Sequence, residues 1–304
     1  MTDMRKTISI EEAASLWVIG LNTRTAFFDS ELYEFLHHIR ETRSFQNQDI
    51  KGFRTDSNLK KKLSEVTDYL VSSGLVQKPY ENYFVIANKN PSDLEIVCSL
   101  YNIGYITYLS AMRFYNLTNR IPKRIDYIAP TRTLWKKRQS QLLSENSIDG
   151  ENLEKNNLFI PPYPSERIKI KGKYLNVHSR SHLYPHMNKG EGVRIISIGD
   201  LFLEMVRNPD LCGGFQHVLE VYEEMGEVLL NEIIDSVELY GTAIDKSRIG
   251  FILNSHLNIQ DPIIAEWKTY STARGGSRKM ISNEPYSDSY SEDWCISLNH
   301  SVFN

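Results

Sequence analysis

An apolar stripe at helical spacing, Leu59, Leu63, Val66 and Leu70, stops at Gly74 and gives way at once to two short strand-forming runs, 75–78 and 83–87, joined by a turn that begins at Pro79. That spacing buries one helical face, and the glycine supplies the left-handed residue at which helices end. Upstream, Leu32, Phe35, Leu36 and Ile39 repeat at i, i+3, i+4 and i+7, so residues 31–41 read as an amphipathic helix that Asp29 or Ser30 can cap. The polar stretch 45–52 reads as one or two helical turns, and Asp56 or Ser57 starts the helix of the stripe. Residues up to about 28 show no clear period. Helix, short helix, longer helix and two-stranded ribbon is the succession of a winged helix-turn-helix, expected here within residues 1–90 behind an N-terminal extension. The helix after Ser57 is then the recognition helix. Its first exposed turn carries Lys60, Lys61 and Lys62, with Arg54 and Asn58 just ahead, and these five residues are candidate DNA contacts. The alternative is a module for protein contacts with merely solvated lysines.

A length of 304 residues suits two or three domains. The net charge of −3 argues against nucleic acid, but its distribution does not. From 113 to 138, Arg113, Arg120, Lys123, Arg124, Arg132, Lys136, Lys137 and Arg138 face only Asp126. From 200 to 238, Asp200, Glu204, Asp210, Glu220, Glu223, Glu224, Glu227, Glu232, Asp235 and Glu238 face only Arg207. Such asymmetry suggests two partners, one of them polyanionic; two solvated faces are the other reading. Arg132, Lys136, Lys137 and Arg138, clustered past a strand end, are further DNA-contact candidates. Cys98, Cys212 and Cys295 are odd in number and far apart, which fits a reducing cytoplasm rather than a disulfide framework. No signal peptide is expected, and no run approaches the roughly 18 apolar residues of a membrane helix.

Pro91 opens a second expected domain, 91–304: mixed α/β to about 198, mainly helical to about 271, then a linker and a strand. Helices are expected at 94–101 and after Thr107, the latter ended by Asn116, and strands at 124–129, 167–170, 174–178 and 194–198. The polar stretch 140–157 reads as a loop. Ser197 with Asp200 opens a helix that Asn208-Pro209 stops; helices 215–222, 228–240 and 248–257 follow, and Asp261 caps a last one with Pro262 at its first position. Residues 274–278 read as a flexible link and 294–298 as a final strand. The fold class is therefore α+β.

Three stretches resemble one family. The first is Gly104-Tyr-Ile-Thr-Tyr-Leu-Ser110-Ala111, running through Tyr115-Asn-Leu117-Thr118 into Pro122 and the strand at Tyr127. The second is Asp200-Leu-Phe-Leu-Glu-Met-Val-Arg-Asn-Pro209-Asp-Leu-Cys-Gly213-Gly214, with Val218 and Leu219 behind it. The third is Arg274-Gly275-Gly276-Ser277-Arg278 ahead of Trp294 and Asn299. Their order resembles the AbiEi family, the antitoxins of type IV toxin–antitoxin systems. The resemblance implies a bifunctional protein without cofactor. Its winged helix represses its own operon on double-stranded promoter DNA, and its C-terminal domain counteracts a nucleotidyltransferase-like toxin, by direct contact or by antagonism.

Catalytic patterns are weak. Gly276-Ser277 and Asp288 superficially match a nucleotidyltransferase motif, but Pro285 interrupts the linking helix and Tyr290 stands where a second acid belongs. His178, His182 and His186 recur at every fourth residue, a spacing suggestive of zinc on a helix, which Pro185 opposes. No enzyme is expected. Two other readings remain open: a nucleic-acid-processing enzyme targeted by its winged helix, and a transcription factor whose large domain senses a small ligand.

Overall fold

A computed structural model of the chain describes residues 6–54, 57–80, 82–146, 160–189, 192–272 and 278–303. In chain order the elements are β1 (Thr7–Ile8), α1 (Ile10–Gly20), β2 (Ala26–Phe28), α2 (Asp29–Thr42), β3 (Ser44–Phe45), β4 (Gln48–Ile50), α3 (Leu59–Ser72), β5 (Val76–Tyr80), β6 (Tyr83–Ile86), α4 (Asp93–Leu100), β7 (Tyr105–Ile106), α5 (Tyr108–Phe114), β8 (Arg124–Pro130) and α6 (Arg132–Asn146). They continue with β9 (Lys169–Ile170), β10 (Lys173–Arg180), β11 (His186–Lys189), β12 (Val193–Ile196), α7 (Ile198–Arg207), α8 (Phe215–Met225), α9 (Leu230–Tyr240), α10 (Ala243–Gly250), α11 (Pro262–Thr272), β13 (Arg278–Lys279), β14 (Tyr290–Ser291) and β15 (Ile296–Ser297). The fold is mixed α+β. Sheet orders are β1-β4-β3, β2-β6-β5, β11-β12-β7-β8-β10-β9 and β13-β15-β14. The chain divides into two compact units: Met1–Tyr105, Tyr127–Leu183 and Asn188–Arg194 form the first, and Ile106–Asp126, Tyr184–Met187 and Ile195–Asn304 the second.

The first unit is organised around an aromatic and aliphatic core. Trp17 of α1 meets Phe27 of β2 edge-on and stacks on Phe35 of α2, each at 5.1 Å, while Phe27 stacks on Phe84 of β6. Leu59, Val66 and Leu70 of α3 are buried in the same cluster, with Leu63 packed against it. The stripe therefore faces the core as its spacing requires.

Several local expectations give way. Residues 10–20, which show no clear period, form α1, because two of its buried positions are Ala13 and Ala14. The signal was present at its start: Ser9 accepts from the Glu12 amide, and the Glu12 carboxylate accepts from the Ser9 amide. Stretch 45–52 is not helical. Gln46 and Asn47 both take positive φ, at 48° and 62°, and turn β3 back onto β4 as a hairpin. Neither Asp29 nor Ser30 caps α2; both lie within it, and the Glu31 carboxylate instead accepts from the Phe28 amide at 2.7 Å. Residues 140–146 are helical, not loop, and 147–157 lie outside the described residues.

The boundary expected at 90 does not end the first unit. The Ser99 hydroxyl of α4 accepts from the Thr25 and Ala26 amides at 3.1 and 3.0 Å and donates to the Ala26 carbonyl at 2.7 Å. Tyr101 packs on Phe28, and the Tyr83 hydroxyl donates to the Lys169 carbonyl.

In the second unit, the two stretches 106–118 and 200–214 pack as one body. The Tyr108 hydroxyl donates to Glu204 at 3.1 Å, Arg120 donates to the Gly213 carbonyl at 2.6 Å, and Thr118 pairs with His217 at 2.9 Å. Gly213 takes φ 92°, a backbone conformation in which a side chain is strained, and a Cβ there would also displace the Arg120 guanidinium. Beyond α10 the helix continues as a π-helical turn, Phe251–His256.

Two outcomes follow. Removing the Ser99 hydroxyl strands two main-chain amides, so Ser99→Ala should lower stability by about 1–3 kcal/mol in denaturant titration; a loss below about 0.5 kcal/mol would show that α4 is not tied to residues 25–26. Burial, then the charge of Glu31, push the Glu34 carboxyl up to about 7. The folded chain thus keeps a proton that the unfolded chain releases near the ordinary value of 4.5, and stability falls as pH rises from there through 7. Discounted for partial exposure, Glu34→Gln should gain about 1–2 kcal/mol at pH 8 and nothing at pH 4; equal stabilities at pH 8 would contradict this.

Candidate nucleic-acid interface

The N-terminal end of α3 gathers the first set of candidates. Asn58, not Ser57, is its cap: the Asn58 side-chain oxygen accepts from the Lys60 and Lys61 amides at 3.0 and 3.3 Å. Asp56 lies outside the described residues. Lys60, Lys61 and Arg54 are exposed. Lys62 is half-buried and donates to Glu65 at 2.6 Å, and Lys61 approaches the same carboxylate at 3.8 Å. The bond from Lys62 holds the Glu65 carboxyl below its ordinary value. No acid occupies the first turn. Three lysines at the positive end of a helix dipole oppose helix formation by about 0.3–1 kcal/mol each. Glu65 offsets Lys61 and Lys62 from the next turn, and among the described residues Lys60 meets no carboxylate; an anion in front of α3 would relieve its charge.

One flank of α3 borders a groove of about 500 Å³, lined by Lys60, Ser64, Thr67, Asp68 and Ser72 and closed by Asp29 and Lys78. Lys78 lies on β5, an edge strand of its sheet, whose pairing with β6 is bulged between Gln77 and Tyr80. Burial raises the Asp29 carboxyl, with nearby Lys78 acting the other way. Neither Lys78 nor Asp68 was among the sequence candidates, since nothing in the local sequence around β5 or the middle of α3 marks them as groove residues.

The second set lies on α6, in the same compact unit. Trp135 is buried, with its indole N–H on the Pro161 carbonyl and its ring against Tyr101 and Tyr163, and buried Gln139 donates to Asn102 at 2.6 Å. That face anchors the helix. Arg132, Lys136, Lys137 and Arg138 are exposed, and among the described residues none meets a carboxylate; Arg132 lies 4.5 Å above the Tyr163 ring. The rest of the basic run divides differently. Arg113 and Arg120, in the second unit, donate to the Thr118 and Gly213 carbonyls and serve the local fold.

The acidic run is not one surface. Asp200 and Glu204 are buried. Asp200 accepts from the Ser197 and Ser236 hydroxyls, and Glu204 from Tyr108, Tyr184, Asn208 and Arg207. Arg207 is shared with Asp245 at 2.7 Å, and bonds from Arg207 and Thr242 outweigh burial and hold the Asp245 carboxyl below its ordinary value. Such hydrogen-bonded networks are what buried charges require. The exposed acids of this run lie on and beside α8 and α9.

His178 lies on β10 and His186 on β11, so their spacing does not place them on one helical face. Among the described residues no group of three His, Cys, Asp or Glu could hold a metal ion. Gly276 and Ser277 lie outside the described residues, and Asp293 is paired with Lys268 at 3.1 Å. No helix among the described residues is long and apolar enough to cross a membrane.

No family model and no curated protein matches the chain. Among solved structures it is similar to the RV2827C protein of Mycobacterium tuberculosis, at 9% identity and a TM-score of 0.48, over 94% of this chain and 90% of that one.

Proposed function

We propose that this chain is a winged-helix DNA-binding regulator and the antitoxin of a type IV pair similar to the AbiEi family. One observation carries the DNA-binding part. The order α1, β2, α2, α3, β5, β6, with the β3–β4 hairpin set between α2 and α3 and the strands in the order β2-β6-β5, supports a three-helix, three-stranded winged-helix plan. Within that plan α3 is the recognition helix and the β5–β6 hairpin the wing. The exposed Lys60 and Lys61 at the start of α3 then have a ligand, the phosphate backbone. The cationic face of α6 extends the footprint. Toxin neutralisation rests on the resemblance of 104–118 and 200–214, and on the packing of most of those residues into one body of the second unit. The protein acts by binding and not by catalysis.

A ligand-sensing regulator is the second reading, favoured by a polar cleft of about 940 Å³ in the first unit. Its walls include Arg24, Glu31, Lys89, Asn102 and Arg194. Arg24 is already held by Glu31, and Lys89 and Arg194 by main-chain carbonyls, so among the described residues these three cations are taken up within the fold.

The experiment separates the two activities with one variant. Lys60→Glu with Lys61→Glu suits the helix dipole and leaves the core untouched. Wild-type protein should bind duplex DNA from upstream of its own gene, with affinity falling steeply in salt. The double variant should bind at least tenfold more weakly, with a salt slope flatter by about two units. Co-expressed with the product of the adjacent reading frame, both forms should restore growth equally. Undiminished binding by the folded variant would move the interface off α3, and absence of rescue by wild type would remove the antitoxin reading.

A further inference from the structure

The groove beside α3 contains two carboxylates of the wrong sign for a phosphate-binding surface: Asp29, which lies beside Lys78, and Asp68 on the helix itself. Asp68 follows Lys60 and Ser64 at i+8 and i+4, so the three share one helical flank, and all three line the groove that Lys78 closes. The Asp68 side chain is exposed and has no hydrogen bond or ion pair among the described residues. Glu65, one turn earlier, is different: its carboxylate is taken up by Lys62 and Lys61. Of the two acids on this part of α3, one neutralises lysines and the other is left free.

On the reading that α3 enters a DNA major groove, which this inference rests on, a free carboxylate there weakens attraction to the phosphates. The floor of the groove offers it few compensations. Guanine presents acceptors at N7 and O6, and thymine an acceptor and a methyl group. Adenine offers its N6 amino group beside the N7 acceptor, so attraction and repulsion fall on the same base. Cytosine presents only the N4 amino donor, and carboxylates accept from it.

We propose that Asp68 is a specificity-determining residue that selects a C·G pair by accepting a hydrogen bond from cytosine N4. Lys60 and Lys78, at either side of the same groove, hold the phosphates and set the register; Asp68 reads the base and repels sites that lack a donor there. Selection by rejection suits a regulator that must leave other DNA, because the carboxylate weakens binding wherever its donor is missing.

The test is selection from a random duplex pool by the full chain, as wild type, Asp68→Ala and Asp68→Asn. Wild type should enrich a motif with a fixed cytosine. Asp68→Ala should lose about tenfold discrimination at that position and no other, and should bind random DNA more tightly. Asp68→Asn should move the preference towards adenine, whose N6 and N7 suit a carboxamide. A motif unchanged by both substitutions overturns the inference while leaving DNA binding standing. No enrichment by wild type removes the winged-helix reading, and this inference with it.

Discussion

The burial of one face of α3 fixes which residues the helix offers to solvent. Leu59, Val66 and Leu70 are enclosed by side chains from α1, α2 and β6, each contributing roughly 1.5–3 kcal/mol on burial. A rotation of one residue would drive a lysine into that cluster, and an unpaired buried ammonium costs several kcal/mol. The outward register of Lys60, Lys61, Ser64 and Asp68 is therefore set by the apolar core and not by the polar residues themselves. The Asn58 cap, worth about 1 kcal/mol, partly offsets the repulsion between the lysines and the helix dipole.

Periodic segments were legible. The stripes of α2 and α3 and most helices from α7 onward stand near their expected positions because each alternates strongly between apolar and polar faces. The failures share a physical cause. Part of the buried face of α1 is made by alanines, and α6 has little apolar content beyond Trp135 and three leucines, so neither shows a clear period. The partners that hold α6, Asn102, Pro161 and Tyr163, come from remote sequence. The hairpin after α2 turns on Gln46 and Asn47 in left-handed conformation, without the Asn-Gly pair that marks such turns.

The candidate site shows the same division. Exposure of Lys60 and Lys61 could be read from the helix period, since both fall opposite the stripe. The groove could not, because Lys78 and Asp29 reach it from β5 and α2. Charge runs misled in a more general way. A sequence does not separate an acid on the surface from one that satisfies buried hydroxyls, and Asp200 and Glu204 belong to the second kind. Glu204 also ties 106–118 to 200–214, since the Tyr108 hydroxyl donates to its carboxylate.

The central claim, that α3 and the β5–β6 hairpin form the DNA-contacting surface, is tested most directly by amide hydrogen exchange of the full chain with and without the duplex from upstream of its own gene. The account predicts slowed exchange at the N-terminal turns of α3 and along β5, with a weaker effect on α6. Slowed exchange confined to other segments, with 58–68 and 76–80 unchanged in a bound complex, would contradict it.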